Sequence, residues 1–340
     1  FQTTGILIFG PTKAATEIES SKAFAKELML KYKIPCAKSV TFSNYRQAKE
    51  YIEGQQPPIV IKADGLAAGK GVIIAESTAQ AQESLSSIME DKTLGTAGET
   101  VVIEEHLSGR EMSAFAFSDG QTVLPLAYAC DYKRIDDGDR GPNTGGMGSY
   151  SPPYFKTAEM AETVEKTIME PAVAAMSQEN RDYSSILYGG LMITREGPKV
   201  IEFNARLGDP ETQVILPLLK TDLIDVILAT INGCLDEMKI EISNETCVGV
   251  VMASDGYPAS AKTGFPISGL DTLDDGIEVF HAGTKLANDG QILTSGGRVL
   301  TVTAMGKTLA EARKKVYANI SRINFEGAHY RRDIALMKEN

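Results

Sequence analysis

The sequence is poor in the residues that would mark a zinc protein, a disulfide scaffold or a nucleic-acid binder. Its four cysteines (Cys36, Cys130, Cys234, Cys247) are scattered without a CxxC pair. That leaves no support for a zinc cluster or a disulfide framework, and it fits a reducing cytoplasm. The three histidines (His106, His281, His329) stand apart and no GxSxG occurs, so zinc hydrolysis and serine-triad chemistry find no footing. No apolar run reaches the roughly 18 residues of a membrane span. Basic residues are outnumbered, 34 Lys and Arg against 45 Asp and Glu, for a net charge of −11. Such a balance argues against broad nucleic-acid or membrane-surface binding, so an anionic substrate would need a local basic pocket. Internal repeats and low-complexity tracts are also missing. The opening Phe1-Gln-Thr-Thr has no initiator Met, basic n-region or cleavage pattern. A chain beginning inside a larger protein is expected, with Gly5-Ile-Leu-Ile-Phe-Gly10 as a short buried strand that could not form a domain alone.

What is present reads as α+β. At 340 residues, with 43% hydrophobic and 23% charged residues, two or three domains of ordinary globular composition are expected. Helical periodicity runs over about 16–33, 43–53, 77–90, 157–179 (bent at Pro171) and 308–321, with a further helix from Asp222 to Gly233. Asp209-Pro210 reads as an N-cap and N1 pair. Strands are expected around 58–62, 72–75, 99–103, 112–117, 123–129, 187–194 and 199–204. Past residue 240 the pattern turns mainly β, over 247–254, 279–283 and 298–304.

Three stretches carry chemistry. In Lys199-Val-Ile-Glu-Phe-Asn204, strand alternation sends Glu202 and Asn204 to one face and Ile201 and Phe203 into packing. A carboxylate and an amide oxygen are hard ligands of the kind Mg²⁺ takes while keeping water and phosphate; a strand edge with two solvated polar residues is the plain alternative. Arg206, Asp209 and Glu211 follow on a turn. In Lys62-Ala-Asp-Gly-Leu-Ala-Ala-Gly-Lys-Gly71, Lys62 ends an apolar strand, where an unpaired ammonium is costly without an anion. Gly65, Gly69 and Gly71, with Lys70, let backbone N–H groups approach phosphate oxygens. The spacing is not that of a Walker A loop, because three residues separate Gly65 from Gly69 and a strand follows. Lys22 fits either a surface lysine or a phosphate contact. Glu104, Glu105 and Leu107, with Glu111 beyond, suit a base amine and a ribose, or a solvated strand end. Last, the polar loop from Asp131 through Lys133 to Gly148 suggests an anion or substrate cradle around Asn143-Thr-Gly-Gly146. Arg298 fits an anion contact or a surface arginine.

Taken in order and spacing, these motifs resemble the ATP-grasp fold, in which two α+β lobes sandwich ATP. More closely, Lys62–Gly71, Gly141-Pro-Asn-Thr-Gly-Gly-Met-Gly148 and Val200-Ile-Glu-Phe-Asn-Ala-Arg-Leu-Gly-Asp-Pro-Glu211 are similar to the phosphoribosylamine–glycine ligases. The resemblance spans essentially the whole chain. It implies a remnant of an N-terminal α/β domain (1–15), an ATP-grasp domain (16–238, lid lobe about 40–107) and a mainly β C-terminal domain (239–340). It also implies ligation of glycine to 5-phosphoribosylamine with ATP, through glycyl phosphate, in purine synthesis. On the family pattern Glu202 and Asn204 hold Mg²⁺ or Mn²⁺, with phosphate and water completing the shell because Leu191-Met-Ile193 offers no acidic ligand. Lys22, Lys62, Gly65, Gly69, Lys70, Gly71, Glu104, Glu105, Leu107 and Glu111 take the nucleotide. Arg206, Asp131 and Lys133 serve catalysis, and Asn143, Gly145, Gly146, Asp209 and Arg298 the other substrates. Tyr132 stands where the family often has histidine, so an imidazole is not available there. A cytoplasmic monomer with small-molecule substrates, and no nucleic-acid or membrane partner, is expected. Another ATP-grasp carboxylate–amine ligase, or a nucleotide-binding fragment without turnover, remains as an alternative.

Overall fold

The computed structural model describes residues 4–65 and 71–337. In chain order its elements begin with α1 (Glu17–Ser20), α2 (Lys22–Lys31), β1 (Ser39–Phe42), α3 (Tyr45–Glu53), β2 (Ile59–Ala63), β3 (Val72–Ala75) and α4 (Thr78–Met89). Then come β4 (Val101–Glu105), β5 (Arg110–Asp119), β6 (Val123–Asp131), β7 (Arg134–Asp136), β8 (Arg140–Asn143) and β9 (Gly148–Ser151). After them follow α5 (Ala158–Val164), α6 (Glu170–Gln178), β10 (Ser184–Thr194), β11 (Gly197–Asn204), α7 (Thr212–Ile215) and α8 (Leu223–Asn232). The last part holds β12 (Thr246–Ala253), β13 (Ile277–His281), β14 (Thr284–Leu286), β15 (Ile292–Thr294), β16 (Arg298–Gly306) and α9 (Leu309–Ile320).

Contacts divide the chain into two units: Phe1–Leu126 with Thr157–Arg206 and Ile224–Met238, and Ala127–Lys156 with Leu207–Leu223 and Lys239–Asn340. In the first unit a four-stranded sheet, β1-β4-β2-β3, is covered by α3 and α4. Ala48 and Ile52 of α3 and Ala81, Leu85 and Ile88 of α4 meet Ile59, Ile61, Val101 and Ile103 in one core. Asn44 and Ser77 cap these helices, accepting from the amides of Gln47 and Gln80. β2 and β3 form the antiparallel hairpin expected around the glycine loop, with Lys62 opposite Val72. The same unit pairs β5, β10 and β11 antiparallel, so Glu202 and Asn204 lie on the β10–β11 hairpin. Leu191 faces Val200 while Gly190 faces Glu202, which leaves Ile201 as a bulged residue on β11.

In the second unit the end of β6, then β9, β12, β16 and β13, pair antiparallel, with α9 packed on β16 and β12. Val248, Val250, Met252, Leu300 and Val302 meet Ala312, Val316 and Ile320 of that helix in the core. Thr308 caps α9, accepting from the Glu311 amide.

Several expectations change. Ile6–Gly10 is not a strand; without a neighbouring ladder among the described residues its backbone stays irregular and Ile6, Leu7 and Ile8 are exposed. The helix expected over 16–33 is two helices, because Ser21 is extended and caps α2 through the Phe24 amide. Residues 157–179 divide into α5, a π turn over Glu165–Met169, and α6; Pro171, which lacks an N–H, follows the widened turn. Asp209-Pro210 does not open a helix, which starts at Thr212. The Asp209 carboxylate is instead drawn to Arg298 and Gln213. Within the polar loop, β7 and β8 pair as a two-stranded ribbon that ends at Asn143.

Candidate functional site

Each unit brings some of the expected residues together. In the first, β2 and β4 run antiparallel with Val60 opposite Glu104, which places Lys62 diagonally across on the same face. Lys62 Nζ lies 3.1 Å from Glu104 Oε2 and donates to the bulged Ile201 carbonyl at 3.0 Å. Lys26 of α2 reaches the other oxygen, Glu104 Oε1, at 3.2 Å. All three side chains are buried (Lys26 3%, Lys62 4% and Glu104 5% exposed). Both Glu104 oxygens therefore face lysines, where sequence reading had the residue framing a base. Burial pushes the Lys26 ammonium below its usual range, and the Glu104 carboxylate opposes that shift. Sequence reading missed Lys26, whose only signal was its place one helical turn beyond Lys22.

The start of α2 also holds Asp64 and Gly65, at the end of β2. Asp64 accepts from the Ala23 amide at 3.1 Å and from Ser21 Oγ at 3.2 Å, while Lys22 Nζ donates to the Gly65 carbonyl at 3.1 Å. Gly71 is buried, and its carbonyl accepts from the Ala63 amide at 2.8 Å. Gly69 and Lys70 fall outside the described residues. Glu105 is exposed and accepts from the Lys38 amide at 3.0 Å; Leu107 is half-buried and Glu111 exposed at the head of β5.

On β11 Phe203 is buried and Glu202 half-buried, but Asn204 is buried too, and Ile201, expected in packing, is only half-buried because the bulge takes it out of the ladder. Arg206 donates to Asn204 Oδ1 at 3.3 Å, and Glu19 holds Arg206 Nε at 3.0 Å and the Ala205 amide at 2.8 Å. Glu202 has no cationic partner among the described residues. No group of three or more His, Cys, Asp or Glu side chains suited to a metal is found among them. Two hard oxygens on one strand face fit a hydrated Mg²⁺ or Mn²⁺ better than a fully protein-caged ion.

In the second unit the residues expected to form a substrate cradle are held through their backbone. Arg298 donates from Nη1 to the Gly145 carbonyl at 2.7 Å and the Asp209 carbonyl at 2.9 Å, and from Nη2 to Asp209 Oδ2 at 2.8 Å. The Gly145 amide donates to Tyr257 Oη at 2.8 Å, so that peptide is gripped at both ends. A Cβ on Gly145 would come within 3.0 Å of the guanidinium, and one on Gly146 within 2.4 Å of Pro210 Cδ. Thr144 ties its amide and Oγ1 to the Lys133 carbonyl at 2.7 and 2.8 Å. Lys133 Nζ lies 3.9 Å from Asp131 Oδ2, and Asn143 is exposed at the end of β8. Tyr257 was not foreseen, since nothing in its local pattern points to a residue so far along the chain.

Behind this loop sits Arg331, fully buried. It forks onto Asp333 at 2.8 and 2.7 Å, reaches Asp139 at 2.9 Å and the Arg134 carbonyl at 3.0 Å, and lies 5.0 Å over the Tyr132 ring. Burial would raise Asp333, but the Arg331 guanidinium and the Gly138 amide bring it down to about 2. Tyr132 itself is raised to about 12 by burial.

Comparison with known proteins gives this geometry a family. Residues 20–212 match the phosphoribosylglycinamide synthetase ATP-grasp (A) domain, and residues 247–337 match the C domain of the same family. A phosphoribosylamine–glycine ligase of Halalkalibacterium halodurans is 48% identical over 98% of this chain and 77% of its own length. The trifunctional purine biosynthetic protein adenosine-3 of Gallus gallus is 47% identical over 97% of this chain and 33% of its own length. Among solved structures, the phosphoribosylamine–glycine ligase of Thermotoga maritima superposes with a TM-score of 0.88 at 38% identity, covering 96% of this chain and 81% of that one. The biotin carboxylase domain of Hydrogenobacter thermophilus 2-oxoglutarate carboxylase, solved with MgADP, shares the fold alone, with a TM-score of 0.73 at 16% identity over 97% of this chain and 71% of that one. The fold is ATP-grasp, as the motif order implied, and the chain belongs to the phosphoribosylglycinamide synthetase family.

Proposed function

We propose that the protein joins glycine to 5-phosphoribosylamine at the expense of ATP, with the first unit holding the nucleotide and the second supplying the loop for the other substrates. The ligase activity is that of the family. The observation that carries the residue assignment is the convergence of β2, β4 and β11 on one buried charge cluster, with Lys62 between Glu104 and the Ile201 carbonyl. An ammonium has three N–H donors, and those two partners leave one for a phosphate oxygen.

On this reading Lys62 and Lys22 contact phosphates and the loop from Gly65 to Gly71 covers them, Gly69 and Lys70 included. Glu105 and Leu107 face the base, Glu111 faces the ribose, and Glu104 holds the lysines. Glu202 and Asn204 would hold Mg²⁺ or Mn²⁺, which when bound supplies charge neutralisation at the transferring phosphoryl group. Arg206, exposed and oriented by Glu19, adds a fixed positive charge. The glycine carboxylate oxygen bonds to the γ-phosphorus as the bond to ADP breaks, giving glycyl phosphate. The amine then bonds to the glycyl carbon, phosphate leaves, and the amine loses a proton. Asp131 and Lys133, with Asn143, Gly145, Gly146, Asp209 and Arg298, orient these two reactants, a contribution of position more than of proton transfer.

ADP release measured with glycine, with phosphoribosylamine, with both and with neither tests the reaction. Release that needs both, with glycinamide ribonucleotide formed, is expected. Release driven by a different carboxylate and amine, and not by these, would replace this reading with another ATP-grasp ligase.

A further inference from the structure

One part of the first unit has no role in the reaction as described. Lys26 is a buried ammonium on α2, one helical turn after Lys22 and on the same helix face. Its buried side chain lies 3.2 Å from Glu104 Oε1. The other titratable groups that act on it are Lys62 and Cys36, and burial raises the Cys36 thiol, so it is neutral at pH 7.

The cluster is thus two cations on one carboxylate. A lone Lys62–Glu104 pair would be neutral, and its lysine would attract a phosphate only weakly because the carboxylate already answers its charge. With Lys26 on the second oxygen, one carboxylate is shared between two ammoniums, and the buried trio carries an excess positive charge. Burying such an excess is costly in the empty protein and is relieved when an anion arrives. A purely structural device would not be built this way, since deleting Lys26 leaves a balanced pair.

We infer that Lys26 is a positioning residue for nucleotide binding: by sharing the Glu104 carboxylate with Lys62, it leaves the cluster a net positive potential toward an incoming polyphosphate. This rests on the reading of Lys62 as a phosphate contact.

The test is Mg-ADP affinity by titration calorimetry on the whole chain, for Lys62→Ala, Lys26→Met and the double variant Lys26→Met/Glu104→Gln, with urea midpoints recorded for each. Lys62→Ala and Lys26→Met are each expected to raise Kd by about tenfold or more. The double variant restores most of the affinity, because removing the carboxylate frees Lys62 again. Rescue of this kind cannot come from a lysine that only fills the core. If Lys62→Ala binds normally, the phosphate reading itself fails and the inference falls with it. If Lys62→Ala weakens binding but Lys26→Met does not, the phosphate reading stands and the inference about Lys26 is overturned. A folded double variant that binds as poorly as Lys26→Met also overturns it.

Discussion

The charge cluster of the first unit and the loop clamp of the second hold their functional groups by opposite means. In the first, three ionisable side chains are buried together, and each lysine takes a different oxygen of the one carboxylate. In the second, the partners grip a peptide: Tyr257 and Arg298 fix Gly145 from both sides, and the side chains doing so are only half-buried. Buried charge makes a site that responds strongly to an anion, whereas a backbone clamp makes a site of fixed shape. A phosphate chain calls for the former, and two small reactants that must be aligned call for the latter.

The largest effect that would separate the two regions is expected at Glu202. Glu202→Gln keeps the shape of β11 but removes a carboxylate that has no cationic partner among the described residues, so turnover should fall by roughly a hundredfold or more with the urea midpoint nearly unchanged. Normal activity in that variant would remove Glu202 from the metal. Next comes Arg298→Met, which loses three hydrogen bonds from one guanidinium. The KM for glycine or phosphoribosylamine should rise by roughly ten- to a hundredfold, since bonds to charged groups contribute about 1.5–3 kcal/mol. Mg-ADP affinity should stay as it was, and a parallel loss of nucleotide affinity would dissolve the distinction between the regions. Tyr257→Phe removes a single neutral acceptor from the Gly145 amide and should raise the same KM by only about threefold to tenfold.

The smallest effect is one of pH. Asp333 is held at about 2 in the folded chain against an ordinary value of 3.8, so its contribution is fully present above pH ~4. As pH falls from ~4 through ~2, Asp333 protonates, its fork with Arg331 is lost, and the second unit loses stability. Arg331→Lys should flatten that acid limb of the thermal midpoint; an unchanged limb would show that other carboxylates govern it.

Much of the proposed nucleotide region was legible from local pattern because its signals are local. Alternation over Lys199–Asn204 placed Glu202 and Asn204 on one face, and the apolar run before Lys62 with the glycines after it gave the hairpin. Where the pattern misled, a tertiary partner decided. Ile6–Gly10 has the composition of a strand, but a strand needs a neighbouring ladder. Asp209-Pro210 has the composition of a helix start, but its carboxylate answers an arginine 89 residues on.

The chain order of motifs, and with it the family and the fold, was determined by the sequence alone, since each motif is contiguous and its chemistry follows from spacing. Only the tertiary structure decided how charge is distributed around Lys62. Whether Glu104 faces a base or two lysines depends on the packing of α2 against β4, and burial, which sets the strength of every charge interaction there, belongs to the folded chain and to no short segment of it. The same holds for Tyr257, Arg298 and Arg331, each of which has a partner more than a hundred positions away.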